Sequence, residues 1–223
     1  MLASLADRVG AARTLPPEPD GVVRAMPVVL RLERPPPART PLLEAAAAAA
    51  LAVCLDARSG PGGEWHHAVS TWVGGRIRKI ARRARGAHWD AVQALPGVTW
   101  TVGDAQVRAL LPGPVDDVPR VVSRLQIAGT DLEPDDPGPP PPGDPVIWVD
   151  AALEMTVGKA AAQVGHAAML YAAVHRLGRV PAFAVRSADP RLWAELCADP
   201  AAVTVRDAGF TEVAPGTVTC LVR

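Results

Sequence analysis

The sequence has few cysteines. Three of its 223 residues are cysteine, namely Cys54, Cys197 and Cys220, and no two of them form a C-x-x-C pair. An odd number of widely spaced cysteines excludes a disulfide framework and a cysteine-based zinc site, so we expect reduced thiols. None of the three lies in a motif typical of a catalytic nucleophile. The sequence also indicates no metal site and no cofactor.

Long hydrophobic runs are absent as well. The longest apolar stretch, residues 42–55, is mostly alanine and contains Glu44. It is too short and too weakly hydrophobic to cross a bilayer. The first residues carry an acid, Asp7, and no apolar region of the secretory type. We therefore expect a cytoplasmic protein without a membrane partner.

The chain has no net charge, because 23 basic residues balance 23 acidic ones. The charges are unevenly distributed: residues 22–132 contain 14 Lys and Arg against nine Asp and Glu, whereas residues 145–223 contain seven of each. Six basic residues occupy one ten-residue window that has no acid: Arg76, Arg78, Lys79, Arg82, Arg83 and Arg85. Such a window is typical of a surface that binds an anionic partner such as nucleic acid, or of an ordinary solvated face.

A proline-rich segment divides the chain. Residues 133–144 contain prolines at nearly every other position, which remove backbone donors and exclude a helix or a central strand. We expect a stiff, extended linker between residues 1–132 and residues 145–223. Each part begins with a short β-type run followed by a helix-type run.

The second part predicts a layered α/β fold with a mixed sheet. The pattern indicates strands over 146–149, 182–186, 203–206 and 217–222, a long helix over 157–176 and a short helix over 190–196. The Pro215-Gly216 turn predicts that the last two strands are antiparallel.

The two parts show signs of an internal repeat. When Thr40 is aligned with Thr156, two alanine-rich helices coincide, and Trp89 and Trp193 are both followed by proline after seven residues. Asp104 and Asp207 then also correspond. The order of these matches predicts a duplication, in which residues 1–132 are a degenerate copy and residues 145–223 are the functional one.

The most informative segment lies at the start of the predicted long helix. Lys159, Gln163 and His166 are spaced at i, i+4 and i+7, so a cation, an amide and an imidazole share one helix face. A lysine in the first helical turn is unfavourable unless an anion lies nearby. Two interpretations fit this pattern. The first is a site that binds a developing negative charge, and the second is an ordinary amphipathic helix with a solvated lysine and a histidine in the core.

Two blocks resemble the signature motifs of type 2 peptidyl-tRNA hydrolases, the archaeal and eukaryotic type. The first is Gly158-Lys-x-Ala-Ala-Gln163-x-x-His166-Ala, and the second is Val205-Arg-Asp207-Ala-Gly209-x-Thr211-Glu-Val-x-Pro215-Gly216-Thr217-x-Thr219. The resemblance covers about 79 residues, 145–223. It implies a small α/β domain that hydrolyses the ester between a peptide and the terminal ribose of tRNA. The region 174–204 is shorter than the family pattern, which bears on substrate contacts more than on the reaction centre.

The resemblance also implies site residues, which are Lys159, Gln163, His166, Asp207 and Thr211. Lys159, helped by Gln163, would stabilise an oxyanion, and Asp207 would orient Lys159 or activate water. Thr211 would hold the ribose or the water, while His166 would transfer a proton or make a structural hydrogen bond to a neighbouring strand. We expect Lys159, Gln163, Asp207 and Thr211 to surround one surface cleft.

The first part would then have lost the site, since Leu43, Ala47 and Ala50 align with Lys159, Gln163 and His166. Type 2 hydrolases are homodimers, so the resemblance suggests a monomeric pseudo-dimer whose basic window, Arg76 to Arg85, contacts tRNA phosphates. Two other functions remain open: a non-catalytic module that binds tRNA or the ribosome, and a deacylase acting on other aminoacyl or peptidyl esters.

Overall fold

Two mixed β-sheets and seven helices make up the described part of the fold. The computed structural model describes residues 2–7, 9, 18, 20–127, 131–207 and 212–223. The first sheet contains β1 (Arg24–Arg31), β2 (Arg78–Ala84), β3 (Gly97–Val102), β4 (Ala105–Leu110) and β5 (Gly113–Pro114). The second contains β6 (Val146–Asp150), β7 (Ala184–Ala188), β8 (Val203–Arg206) and β9 (Val218–Val222). The helices are α1 (Ala3–Ala6), α2 (Arg39–Leu55), α3 (His66–Gly74), α4 (Ala87–Gln93), α5 (Arg120–Ser123), α6 (Val157–Val174) and α7 (Pro190–Ala198).

The two sheets have the same strand order and the same strand directions. The first has the order β2-β1-β4-β3, with β5 as an addition on β1, and the second has the order β7-β6-β9-β8. In each, the first two strands are parallel and the other two neighbouring pairs are antiparallel. The predicted mixed α/β fold is confirmed, as is the antiparallel pairing of the last two strands. The internal duplication is not confirmed by this likeness and stays a prediction.

The two long helices, α2 and α6, pack against each other between the sheets. Helix α2 lies on β3 and β4 and also contacts β7 of the second sheet, while α6 lies on β8 and β9 and also contacts β2 of the first. Alanine is the strongest helix former and the smallest side chain that stabilises a helix, so both helices can approach closely. Nearly every residue of α2 after Thr40 is buried, which explains its alanine-rich sequence. In the described part of the chain, no helix is long and apolar enough to span a bilayer.

Short helices cover the outer faces of the sheets. Trp89 of α4 packs with Val122 of α5 on the first sheet, and Trp193 of α7 packs against Leu221 on the second. The two tryptophans matched by the repeat thus occupy equivalent layers. Helix α3 was not predicted from the sequence. Its hydrophobic residues join the central core.

The proline-rich linker contains no helix or strand over residues 133–144, as predicted, but it does not simply span a gap. The carboxylate of Asp135 accepts hydrogen bonds from the backbone N–H and the hydroxyl of Thr40, at 2.9 and 2.8 Å. The side chain of Arg186 donates to the carbonyl oxygen of Gly138 at 2.8 Å. Asp135 therefore places a negative charge at the N-terminal end of α2, where the helix dipole favours it.

Candidate active site

Helix α6 brings its polar residues to the edge of the second sheet. The helix begins after Thr156, whose hydroxyl accepts a hydrogen bond from the backbone N–H of Lys159 at 3.3 Å. A threonine at this position satisfies one of the N–H groups that a helix leaves without a partner. Lys159 and Gln163 follow on one face of the helix and point toward the end of β8.

Asp207 follows the last residue of β8 and contacts both of these side chains. Its Oδ2 accepts hydrogen bonds from the ammonium of Lys159 and, at 2.6 Å, from the amide of Gln163. The Lys159 and Asp207 side chains are only 9% and 7% exposed. The anion that a lysine in the first helical turn requires is therefore Asp207, and the two charges stabilise each other away from water.

Gln163 is held in one orientation. It is buried, and its Oε1 accepts a hydrogen bond from the Thr219 hydroxyl on β9 at 2.9 Å, while its Nε2 donates to Asp207. Because one end accepts and the other donates, the amide cannot flip without losing both bonds. Gln163 thus positions Asp207. Its expected direct contact with an oxyanion stays a prediction.

A second carboxylate lies at the start of α6. Glu212 accepts hydrogen bonds from the backbone N–H of Thr156 at 3.1 Å and from its hydroxyl at 2.7 Å. Asp207 and Glu212, which are close together in the chain, therefore both bind the start of α6. Thr211, a predicted site residue, lies outside the described residues.

The convergence of Lys159, Gln163 and Asp207 agrees with the sequence-based hypothesis, but their surroundings differ from it. Among the described residues these three side chains form a largely buried cluster and not the walls of an open cleft.

His166 has a partner that the sequence did not suggest. Its Nδ1 lies 3.2 Å from the ammonium nitrogen of Lys79, which belongs to β2 of the first sheet. While Lys79 is protonated its ammonium can only donate, so Nδ1 is then the acceptor and the ring is neutral. Burial, and then the charges of Lys79 and Lys159, hold the pKa of His166 well below its usual value.

Lys79 is itself buried, and burial lowers its pKa to about 7. A buried ammonium is disfavoured relative to the neutral amine, which explains the direction of this shift. The prediction that Lys79 contacts tRNA phosphates is therefore wrong, because its side chain points into the core between the halves.

The rest of the basic window divides between structural and surface roles. Arg82 donates to the carbonyl oxygen of Leu125 at 3.0 Å and so holds the segment after α5. Arg83 donates from Nε to the side-chain oxygen of Gln126 at 2.7 Å, and Arg78 pairs with Glu18. Arg85 is exposed and Arg76 is half-buried.

The cysteines and other histidines present no second site. All three cysteines are free thiols, and burial raises the pKa of Cys54 and of Cys220 to about 12. His66 is held by its Nδ1 at 3.1 Å from the carbonyl oxygen of Ser59. Over the described ranges, no group of three His, Cys, Asp or Glu side chains is arranged to hold a metal ion.

Sequence reasoning missed four residues of this cluster. A local signal could have identified Thr156, since a threonine immediately before an alanine-rich run is typical of a helix N-cap. Glu212 and Thr219 lie within the second motif block, but only the folded chain shows what they contact. Lys79 comes from the other half of the chain and has no local signal at all. No family model matches the chain, and no curated protein and no solved structure matches it either.

Proposed function

We propose that this chain hydrolyses the ester between peptide and tRNA in peptidyl-tRNA and releases free tRNA. The observation that carries the proposal is the ion pair of Lys159 and Asp207 at the N-terminus of α6, braced by Gln163. These residues come from two motif blocks that are separated by about forty residues and resemble the two signatures of type 2 peptidyl-tRNA hydrolases. Their meeting at one point supports a shared chemical role.

The arrangement suits attack by water on an ester carbonyl. As the water oxygen adds to the carbonyl carbon, negative charge develops on the carbonyl oxygen, and the Lys159 ammonium at a helix N-terminus would stabilise it. An ammonium has three N–H donors, so it can bind an oxyanion and a carboxylate together. The carbon–oxygen bond to the ribose then breaks, and the peptide leaves as a carboxylate. Of the two protons of the attacking water, one passes to the ribose oxygen and the other is released to solvent.

Asp207 is assigned an orienting role. Its Oδ2 already accepts from Lys159 and Gln163, which suits a carboxylate that holds a cation in place better than one that activates water. Thr211 would contact the ribose or the water, as the resemblance implies. The proposed reaction requires no metal ion and no cofactor.

We propose further that the first half arose by duplication and lost this chemistry. The aligned residues Leu43, Ala47 and Ala50 are buried in α2, and apolar residues would replace polar ones where catalysis no longer required them. The tight packing of α2 on α6 would then take the place of a homodimer contact. The chain is accordingly expected to be a monomer, which light scattering would check against its mass of 23.3 kDa.

The deciding experiment is release of peptide from purified peptidyl-tRNA by the wild-type chain. We expect multiple turnovers and free tRNA as a product. Binding of tRNA without release would favour a non-catalytic module instead. Equal or faster cleavage of aminoacyl-tRNA would favour a deacylase of other esters. Absence of both binding and release would contradict the proposal.

Arg83 and Arg85 are the basic residues best placed to contact tRNA. Strand β2 runs along α6, with Ala81 opposite Gly158 and Lys79 opposite Gly165. The next residues of β2 therefore continue past the N-terminus of α6, toward the end that carries Lys159. Arg82 lies on the other face of the strand.

Replacing Arg83 and Arg85 by glutamate is expected to weaken tRNA binding and to reduce its salt dependence. Each lost phosphate contact removes about 0.9 from the slope of log affinity against log salt. Fluorescence titrations at several salt concentrations would measure this slope. Arg191→Glu on α7 is the matched control, because its side chain is 90% exposed on the opposite side of the second sheet. An unchanged slope in the double variant would show that the basic window is an ordinary solvated face.

A further inference from the structure

Lysine is rare in this chain, and both lysine side chains lie against the same helix, α6. Of the 23 basic residues, 21 are arginine and two are lysine, Lys79 and Lys159. Both are about nine-tenths buried. Lys159 belongs to α6, and Lys79 reaches α6 from β2. A lysine ends in a compact point charge, whereas an arginine ends in a wider planar group, so lysine is the basic residue that suits a buried space beside this helix.

The structure contains a passage for the Lys79 side chain. A Cβ atom at Gly165 would lie 3.0 Å from both Cδ and Cε of Lys79 and 3.1 Å from the Cβ of Ala50. Such contacts are tighter than ordinary van der Waals packing, so the absence of a side chain at 165 lets Lys79 pass α6. By contrast, a Cβ at Gly158 on the same helix would meet the Cβ of Ala81 at a normal 3.5 Å.

The Lys79 ammonium ends in a pocket of neutral groups. Its Nζ lies 3.4 Å from the carbonyl oxygen of Ile77 and 5.2 Å from the ring centre of Trp72 on α3. The thiols of Cys54 on α2 and Cys220 on β9 lie near Lys79 and are protonated. On α6, the charge of Lys159 also acts on His166, the partner of Lys79. Within the described ranges, no carboxylate forms an ion pair with Lys79. A buried cation without a carboxylate is costly.

His166 is the group on which this ammonium acts. Its Nδ1 faces Lys79, and no other described residue hydrogen-bonds the opposite ring nitrogen, Nε2. On α6, His166 shares its face with Gln163 and Lys159. The nitrogen that carries the proton is therefore on the edge of the ring away from Lys79.

We propose that Lys79 is a positioning residue of the candidate site, which donates to Nδ1 of His166 and holds the ring neutral with its proton on Nε2. The site is then composite, since the first half contributes one residue that acts through the helix of the second. The inference deepens the proposed hydrolysis and rests on it for its effect on rate. The contact itself is testable without any substrate.

The substrate-free test is nitrogen-15 NMR of histidine-labelled protein, which distinguishes the two neutral ring forms. The wild-type His166 signal, assigned by its loss in His166→Gln, is expected to show the neutral Nε2–H form at about pH 6, where Lys79 is protonated and an ordinary histidine would be charged. In Lys79→Met, which keeps the length of the side chain and removes the donor, we expect a mixture of forms. Gly165→Ala should shift the signal in the same direction, and Gly158→Ala should not. A wild-type pattern in Lys79→Met would overturn the proposal.

Thermal unfolding shows whether Lys79→Met folds. Because the pKa of Lys79 is lowered when the protein folds, the unfolded chain binds more protons between about pH 7 and pH 10. Wild-type stability should therefore rise over this range, and Lys79→Met should lose that rise. A rise that persists unchanged in the variant would contradict a buried Lys79 whose pKa is lowered on folding.

In the release assay, Lys79→Met is expected to lower kcat about tenfold with little change in KM. This loss of kcat is smaller than the loss expected for a group that transfers a proton directly. His166→Gln should cause a similar loss, and the double variant should lose no more than either one. Arg191→Met, on the opposite face of the second sheet, controls for loss of one positive charge. Additive losses in the double variant would overturn the link through His166. If the NMR result holds and the wild type releases no peptide, the proposed function fails and the Lys79–His166 contact stands.

Discussion

Substitution of Lys159 by alanine is expected to lower kcat for peptide release by about 10²–10³-fold, with a much smaller change in KM. This is the usual loss when one preorganised donor to an oxyanion is removed. Lys159 is the cation at the N-terminus of α6 in the proposed reaction, and Asp207 fixes its direction. A group that stabilises charge developing only in the transition state contributes to kcat more than to substrate binding.

Lys159→Arg is the informative companion variant. It keeps the positive charge, but a planar guanidinium differs in size and in the directions of its donors from the ammonium that Asp207 holds. We therefore expect Lys159→Arg to show most of the loss of kcat. If Lys159 acted only through its charge, the arginine variant would recover kcat. Release assays at saturating substrate would measure kcat for both variants. Alanine and arginine variants with wild-type kcat would exclude Lys159 from the reaction.

The largest expected effect on stability follows from removing Asp207, the other partner of this ion pair. Asp207→Ala should reduce the free energy of unfolding by about 3–5 kcal/mol, the usual cost of leaving one partner of a buried pair uncompensated. Lys159 would keep its charge in a nearly buried position, and Gln163 would lose the acceptor of its amide. Urea denaturation followed by circular dichroism would measure the change.

A double variant tests the physical reason for this loss. Lys159→Met combined with Asp207→Leu removes both charges and should recover most of the stability, because apolar groups of similar size can replace a buried pair at little cost. The exposed pair Arg191–Glu195, with side chains 90% and 65% exposed, is the matched control. The same cycle there should give a coupling below about 1 kcal/mol. Equal coupling energies at the two pairs would contradict the buried ion pair.

The elements of the second half could be predicted from the sequence because their signals are local. The start of α6 at Val157 and the whole of β8, Val203–Arg206, agree with the pattern of apolar residues. Ends were less accurate: β7 begins two residues later than predicted, and α6 ends at Val174, where His175 caps it. A β-type run shows that a strand forms, but its ends depend on which residues its neighbours pair with.

The candidate site divides in the same way. The helical spacing of Lys159, Gln163 and His166 placed them on one face, and the second motif block added Asp207. The contact between Lys159 and Asp207 depends on β8 ending beside the first turns of α6, which no spacing in the sequence encodes. For the basic window, the sequence predicted one surface from six neighbouring charges. The residues of β2 instead alternate between its two faces, so some of these side chains are buried or hydrogen-bonded and others are exposed.

By itself, the sequence determined the long helices α2 and α6, helix α7, the strands of the second half, the proline-rich segment and the face of α6 that carries the polar residues. Each of these depends on neighbours in the chain. Only the tertiary structure decided that α2 and α6 pack together between two sheets and that Lys79 of one half meets His166 of the other. A side chain's partner across a core is set by the packing of whole layers. Burial then converts an apparently solvated lysine into a group whose pKa is about 7.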